Sequence, residues 1–238
     1  ASLPQPRTLC CWNANSLLNR IDKDGSLLSA FLKEEAPDVL FISEVRMPAV
    51  GPPGCKKDDG KPRRRSEMSR ATAAQAREAD QIAAFVRAHN YRAYYSLADS
   101  KYAGTALLVR RDRAQPDPAS LRYVLQPATD GRASEHTTDG RVIFCSFAEF
   151  DLLGTYSPNN GVTETSFARR REWDAQCEAM LRARAVGAAG AAASSSTSSS
   201  TLSSTSTSTS SSASAVRPLI WLGDLSGRCM GRRRARPR

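Results

Sequence analysis

Eight side chains near the ends of short apolar runs could carry chemistry in this sequence. They are Asn13 and Asn15 in "WNANSL", Glu44 and Arg46 in "ISEVRM", Tyr156, Asn159 and Asn160 in "TYSPNNG", and Asp224 in "LGDLS". Carboxylate and amide oxygens arriving from separate strands suit a hard cation such as Mg²⁺, which takes oxygen ligands and keeps several waters. Phenol and amide donors on a turn suit a phosphate. Arg46, two residues past Glu44, can pair with the same anion. Singly, each residue has a plainer reading: a strand-end Asn as turn former, a Glu facing solvent, a Tyr used only for packing. Their order along the chain favours a site. Zinc is not expected from the remaining ligand types. Cysteines 10, 11, 55, 145, 177 and 229 form no C-x-x-C pair, and His89 and His136 stand beside none of them. The cysteines read as reduced, partly buried thiols.

Strands and helices must deliver these groups. "TLCCWN" (8–13) and "DVLFISEV" (38–45) read as strands, the second apolar enough to be buried on both faces. Between them, Leu27, Leu28, Phe31 and Leu32 repeat at helical spacing, with Asp24 as expected N-cap and Pro37 as the stop. An Ala-rich helix is predicted over 66–89, with Ile82, Phe85 and Val86 inward. Strands follow at 91–97 and 104–110, and a hairpin over 141–157 turns near Glu149 to Asp151. Residues 164–185 form an amphipathic helix, its apolar face made of Phe167, Trp173, Cys177, Met180 and Leu181. The Ala/Ser/Thr-rich stretch 187–217 cannot bury enough apolar surface to order itself and is expected to be a disordered insertion. "VRPLIWLGD" then returns as a strand, expected to be buried on both faces at 218–223. Hairpins mixed with crossovers predict a layered α/β sandwich in place of a doubly wound sheet.

The length of 238 residues suits one domain with insertions, and no apolar run approaches a membrane span, so no membrane partner is expected. The net charge of +10 is local. The fourteen residues after Asp224 contain six arginines and no acid, and Lys56–Arg70 contains seven basic and three acidic residues. The remainder is close to neutral. A basic loop at 46–65 suits a polyanion such as nucleic acid, or is a solvated surface loop.

The series W-N-x-N, P-D-V-L-x-I-x-E-V-R, Y-A-G-T-A-L-L-V, D-G-R-V-I, T-Y-S-P-N-N-G, R-R-x-W-D and L-I-W-L-G-D-L resembles the exonuclease III-type apurinic/apyrimidinic endonucleases. These belong to the endonuclease/exonuclease/phosphatase superfamily, and the plant and algal branch is the most similar. The resemblance covers residues 8–185 and 216–225. It implies a four-layer α/β/β/α sandwich with a site along one edge of two sheets. It implies Mg²⁺ (or Mn²⁺) at Glu44 with Asn15 beside it, and Asn13 near metal and phosphate. Tyr156 and Asn159 would contact the scissile phosphate, and Asp224 would orient or deprotonate the attacking water. The implied reaction is hydrolysis 5′ to an abasic deoxyribose in double-stranded DNA, with 3′-exonuclease activity in some members. The implied protein is a monomer working in the nucleus or an organelle.

The pattern departs from that family at its end. The family's G-D-L-N is here Gly223-Asp224-Leu225-Ser226, and the Asp and the Asp-His pair that the family carries further on have no counterpart after Asp224. The expected organisation is therefore a partial sandwich at 1–225, incomplete at the C-terminus, followed by a non-family Arg-rich tail at 226–238. Three readings of the tail stay open: a reading frame running into non-coding sequence, a short isoform or pseudoenzyme that binds DNA without cutting it, and an arginine clamp or import signal.

Overall fold

All five residues of β2 (Val39–Ser43) are buried, and their alternation explains how the molecule is layered. Successive side chains of a strand face opposite sides. Leu40 and Ile42 therefore join a cluster with Leu17, Leu32, Ile82 and Val86 from two helices, whereas Val39 and Phe41 meet Ile143, Cys145 and Leu152 of a second sheet. The computed structural model describes residues 2–47, 73–98, 101–125, 136, 139–195 and 217–224. Residues 48–65 of the basic loop, the N-terminal part of the helix expected from 66, the tract 196–216 and the tail, including Ser226, lie outside the described residues.

Around β2 lie β1 (Leu9–Asn13), β3 (Tyr91–Ser96) and β4 (Thr105–Arg110), in the order β1-β2-β4-β3. β1 pairs with β2 in parallel, from Leu9 opposite Val39 to Asn13 opposite Ser43, and β4 pairs antiparallel to both β2 and β3. The second sheet, β5 (Val142–Ser146), β6 (Asp151–Tyr156) and β7 (Leu219–Asp224), runs in that order, with β6 and β7 parallel. Helices α1 (Leu17–Glu34) and α2 (Ala73–Ala88) cover the first sheet. Helix α3 (Glu164–Ser195) covers the second, with Trp173 and Cys177 against Val142, Phe144 and Leu153. The result is the α/β/β/α sandwich. Each fully buried Leu, Ile or Phe stabilises it by roughly 1.5–3 kcal/mol. Gly154 lets the sheets close, because a Cβ there would lie 2.3 Å from the Phe41 ring.

Several expectations need correction. Helix α1 starts at Leu17, and Asp24 is not its N-cap but a break inside it, at φ −121° and ψ 18°. No side chain caps the helix. Its first N–H groups are satisfied across the fold, Ser16 N donating to Glu44 O at 2.8 Å and Leu17 N to Val45 O at 3.1 Å, so no local signal marks the start. Leu27, expected inside, is 71% exposed. Helix α3 runs ten residues past the expected end and into the stretch expected to be disordered, because "VGAAGAAASS" is dominated by Ala, the best helix former. Phe167, expected on its apolar face, is exposed. The strand β7 is not buried on both faces. It is the edge of its sheet, paired only with β6 among the described residues, and Trp221 on it is 38% exposed.

His136 belongs to the core. It is buried, with Nε2 2.9 Å from Arg169 O and its ring edge-on to Trp173 at 5.5 Å. Burial holds its pKa below the ordinary 6.5, and the charges of Arg141 and Arg169 act the same way, against the Arg169 carbonyl and Asp139. The unfolded chain therefore binds a proton more readily. The stability contributed is present above about pH 6.5 and is lost as pH falls through the depressed folded value. Melting temperatures of the wild type should fall between pH 7 and pH 5, and His136→Phe should flatten that part of the profile.

Candidate active site

The parallel pairing of β1 with β2 places Asn13 beside the residue preceding Glu44. The parallel pairing of β6 with β7 places Tyr156 opposite Asp224. These two strand pairs end at the same edge, and their side chains meet there. Asn13 Nδ2 donates to Glu44 Oε1 at 3.0 Å and to Asp224 Oδ2 at 2.8 Å. Tyr156 OH donates to the same Glu44 Oε1 at 2.9 Å. Arg46 donates to Glu44 Oε2 through Nε at 3.1 Å and Nη2 at 2.5 Å.

The backbone sets these directions. Asn13 Oδ1 accepts the Asn15 N–H at 3.0 Å, a turn that fixes which way the Asn13 amide points and leaves Nδ2 for the carboxylates. Past this turn Asn15 and Ser16 have φ of 46° and 86°, and Glu44 and Arg46 have φ of 53° and 51°. Such left-handed conformations in non-glycine residues persist only where surrounding bonds hold them. Here Ala14 N binds Ser43 O, Ser16 N binds Glu44 O, Val45 N binds Gly104 O and Arg46 N binds Ala103 O. Ser157 N binds Asp224 O at 3.0 Å, joining the ends of β6 and β7.

Gly223 permits that junction. Its φ is 149°, and a Cβ would lie 1.9 Å from Thr155 O. Gly223→Ala should destabilise the fold by roughly 1–3 kcal/mol and shift Asp224 away from Asn13. Urea unfolding measures the first effect, and a shifted NMR resonance of the Asn13 side-chain amide reports the second.

Burial pulls the Glu44 carboxyl upward, but hydrogen bonds from Asn13, Arg46 and Tyr156 and the charge of Arg46 outweigh it, so the group sits below its ordinary value. It is an anion at neutral pH. Burial, then the bond to Glu44 and its charge, push Tyr156 up to about 12. Tyr156 is thus a phenol that donates, not a phenolate.

Of the residues singled out from sequence, Asn13, Glu44, Arg46, Tyr156 and Asp224 are brought together. Asn15 enters that set through its backbone N–H, which binds Asn13 Oδ1, while its side chain is exposed. Asn159 is exposed too, and Asn159 Oδ1 accepts the Gly161 N–H at 3.4 Å. His89 lies at the end of α2, where Nδ1 is 2.9 Å from Phe85 O, and neither it nor His136 reaches the site. Missed from sequence were Arg141, Asp139 and Tyr102, which back Tyr156. All three lie inside the motifs D-G-R-V-I and Y-A-G-T-A-L-L-V, which carry the resemblance without assigning them a role.

A cation fits the donor chemistry. Glu44 Oε1 and Asp224 Oδ2 accept from a single donor atom, Asn13 Nδ2, which brings oxygens of two carboxyl groups close together. The side chain of Glu44 keeps 16% of its surface open. All-oxygen ligation suits Mg²⁺ or Mn²⁺. Among the described residues no group of three or more His, Cys, Asp or Glu forms a cage, so any ion here would keep waters.

Residues 10–226 match the profile of the Endonuclease/Exonuclease/phosphatase family. The chain belongs to this family. It is 39% identical over 228 residues to a DNA-(apurinic or apyrimidinic site) endonuclease of Arabidopsis thaliana, covering 93% of this chain and 50% of that one. A protein of the same description from Plasmodium berghei is 32% identical over 69% of this chain and 33% of its own length. The chain thus spans half or less of the length of these curated relatives. The fold is shared with the AP endonuclease LMAP from Leishmania major, at a TM-score of 0.52 and 18% identity, covering 93% of this chain and 55% of that structure.

Proposed function

We propose that this chain carries the catalytic edge of a DNA-repair endonuclease that hydrolyses the phosphodiester 5′ to abasic sites in double-stranded DNA. The observation that carries the reading is the convergence of Glu44, Asp224 and Tyr156, from both sheets, around Asn13. The relatives' description as DNA-(apurinic or apyrimidinic site) endonucleases supports the substrate class.

In this reading Glu44 would hold Mg²⁺ or Mn²⁺, and the exposed Asn15 side chain would have to turn toward it to serve as a second ligand. A bound divalent ion would neutralise charge developing on the phosphate oxygens. Asp224, kept in place by the Asn13 amide, orients the attacking water and accepts its proton. Tyr156, protonated through the neutral range, offers its O–H to a phosphate oxygen and Asn159 an amide N–H, while Asn13, whose two N–H groups hold Glu44 and Asp224, stands next to that phosphate. Arg46 already grips an anion and would share its donors between Glu44 and a phosphate. The working place would be the nucleus or an organelle that contains DNA, which a fluorescent fusion can locate.

The test is incision of a duplex carrying one tetrahydrofuran abasic analogue, in Mg²⁺ and in EDTA. Cutting 5′ to the analogue only with the metal is the expected result. Salt-sensitive retention of the duplex without cutting at any metal concentration would overturn it in favour of a non-catalytic DNA binder. The full occupation of Glu44 by Asn13, Tyr156 and Arg46 is the observation that favours this second reading.

A further inference from the structure

Arg141 is the arginine that the fold buries among the described residues, at 2% exposure, and it lies directly behind Tyr156. Taking a guanidinium out of water is costly unless its donors are used. Here they are. Nε donates to Asp139 Oδ2 at 2.8 Å, Nη1 to Tyr156 O at 3.3 Å and Nη2 to the Tyr102 hydroxyl at 2.9 Å. Its guanidinium carbon is 4.9 Å from the centre of the Tyr156 ring and 5.4 Å from that of Tyr102, inside the range of cation–π attraction. The Tyr156 N–H, in turn, donates to Arg141 O at 2.9 Å.

Tyr156 is thus gripped by one residue at its N–H, its carbonyl and its ring face. Arg141 is itself anchored to the first sheet. Asp139 O accepts the Gly104 N–H at 3.2 Å, and Gly140 O accepts the Thr105 hydroxyl at 3.0 Å. A Cβ on Gly140 would come within 2.5 Å of Ser96 O, so segment 139–141 lies flush against the ends of β3 and β4. The tyrosine of the second sheet is therefore registered against the first sheet, where Glu44 sits. Buried ion pairs contribute little net stability, and this one is aimed at the candidate site.

We infer that Arg141 is a positioning residue: it holds the Tyr156 hydroxyl in the direction needed at the reacting phosphate without touching substrate. This rests on the function proposed above. A tilt of roughly 10° at the Cα would carry a tyrosine oxygen about 1 Å, enough to cost up to about a hundredfold in rate. Lysine cannot replace the planar fork or stack on two rings.

The experiment compares wild type, Arg141→Lys, Tyr156→Phe and the double variant in single-turnover incision. All are also labelled with 3-fluorotyrosine, the Tyr156 resonance being assigned by its loss in Tyr156→Phe. Arg141→Lys should lower the single-turnover rate about 10- to 100-fold, with apparent substrate affinity nearly unchanged, and should move the Tyr156 fluorine resonance. In the Tyr156→Phe background it should cause no further loss. A loss that multiplies with that of Tyr156→Phe, or an unmoved resonance, overturns the inference. If Arg141→Lys does not fold, Tyr102→Phe, which deletes one acceptor from an exposed ring, carries the same two readouts. Should the wild type not incise at all, the proposed function fails, yet the fluorine resonance still decides whether Arg141 positions Tyr156.

Discussion

With Glu44 replaced by Gln, metal-dependent incision of an abasic duplex should fall by about a thousandfold, while duplex retention in EDTA changes by less than about threefold. Glutamine keeps the size and one acceptor oxygen, so Tyr156 and the fold retain a partner. It removes the charge that Arg46 pairs with at 2.5 Å, and the anionic oxygen that meets Asp224 around Asn13. The loss should appear in the single-turnover rate and in the Mg²⁺ dependence, not in DNA affinity. A change confined to affinity would mean that Glu44 holds substrate, not the ion. Asn13→Ala should fall less, because it removes the link between two carboxylates and leaves both in place.

Much of this arrangement was legible in the residues. The nearly continuous apolar run "VLFI" and the polar groups closing each apolar run identified four of the strand ends that form the site. Register did the rest, and register is a property of pairing. Nothing in "TYSPNNG" and "LGDLS" alone says that Tyr156 stands opposite Asp224. The start of α1 was illegible because its N–H groups are satisfied by carbonyls of Glu44 and Val45, far along the chain. The exposure of β7 was misjudged for a related reason. "LIWLG" is as apolar as a central strand, and apolar character says how well a strand could be buried, not whether a neighbour lies beside it. Arg141 was missed because a lone arginine opening a strand looks like surface charge until the aromatic rings on both sides are placed. Asn15 and Asn159 show the converse: the resemblance assigns them roles, but their side chains stand at the rim, exposed.

Asp38→Ala should cost about 3 kcal/mol of stability, toward the lower end of what breaking one partner of a buried ion pair costs. The Asp38 side chain is 5% exposed, and it ties together three strands at the end opposite the site. Oδ2 accepts the N–H groups of Arg7 at 2.8 Å and Thr8 at 3.1 Å, ahead of β1. Oδ1 pairs with Arg113 Nε at 2.8 Å, beyond β4, and lies 3.6 Å from Nη1 of Arg110, the last residue of β4. Both arginines are about a quarter exposed, so water compensates part of their loss. Two N–H groups lose their acceptor as well. Burial pulls the carboxyl upward, yet the Arg7 and Thr8 hydrogen bonds and the charge of Arg113 outweigh it and leave it below 3.8. Its contribution is therefore complete above the unfolded value and is lost as pH falls through the lower folded value. Urea unfolding at pH 7 should show the full difference between wild type and Asp38→Ala, and the gap should narrow as the acid limit is approached. Five residue steps, from Thr8 to Asn13, about 17 Å at strand rise, separate this tie from the candidate site. Incision by folded Asp38→Ala should accordingly keep the wild-type rate at low temperature, whereas Glu44→Gln should keep the wild-type melting temperature within a few degrees and lose the rate. A loss of rate in the folded Asp38→Ala protein would mean that the two ends of the first sheet are coupled, and that strand register at the Asp38 end sets the geometry around Asn13.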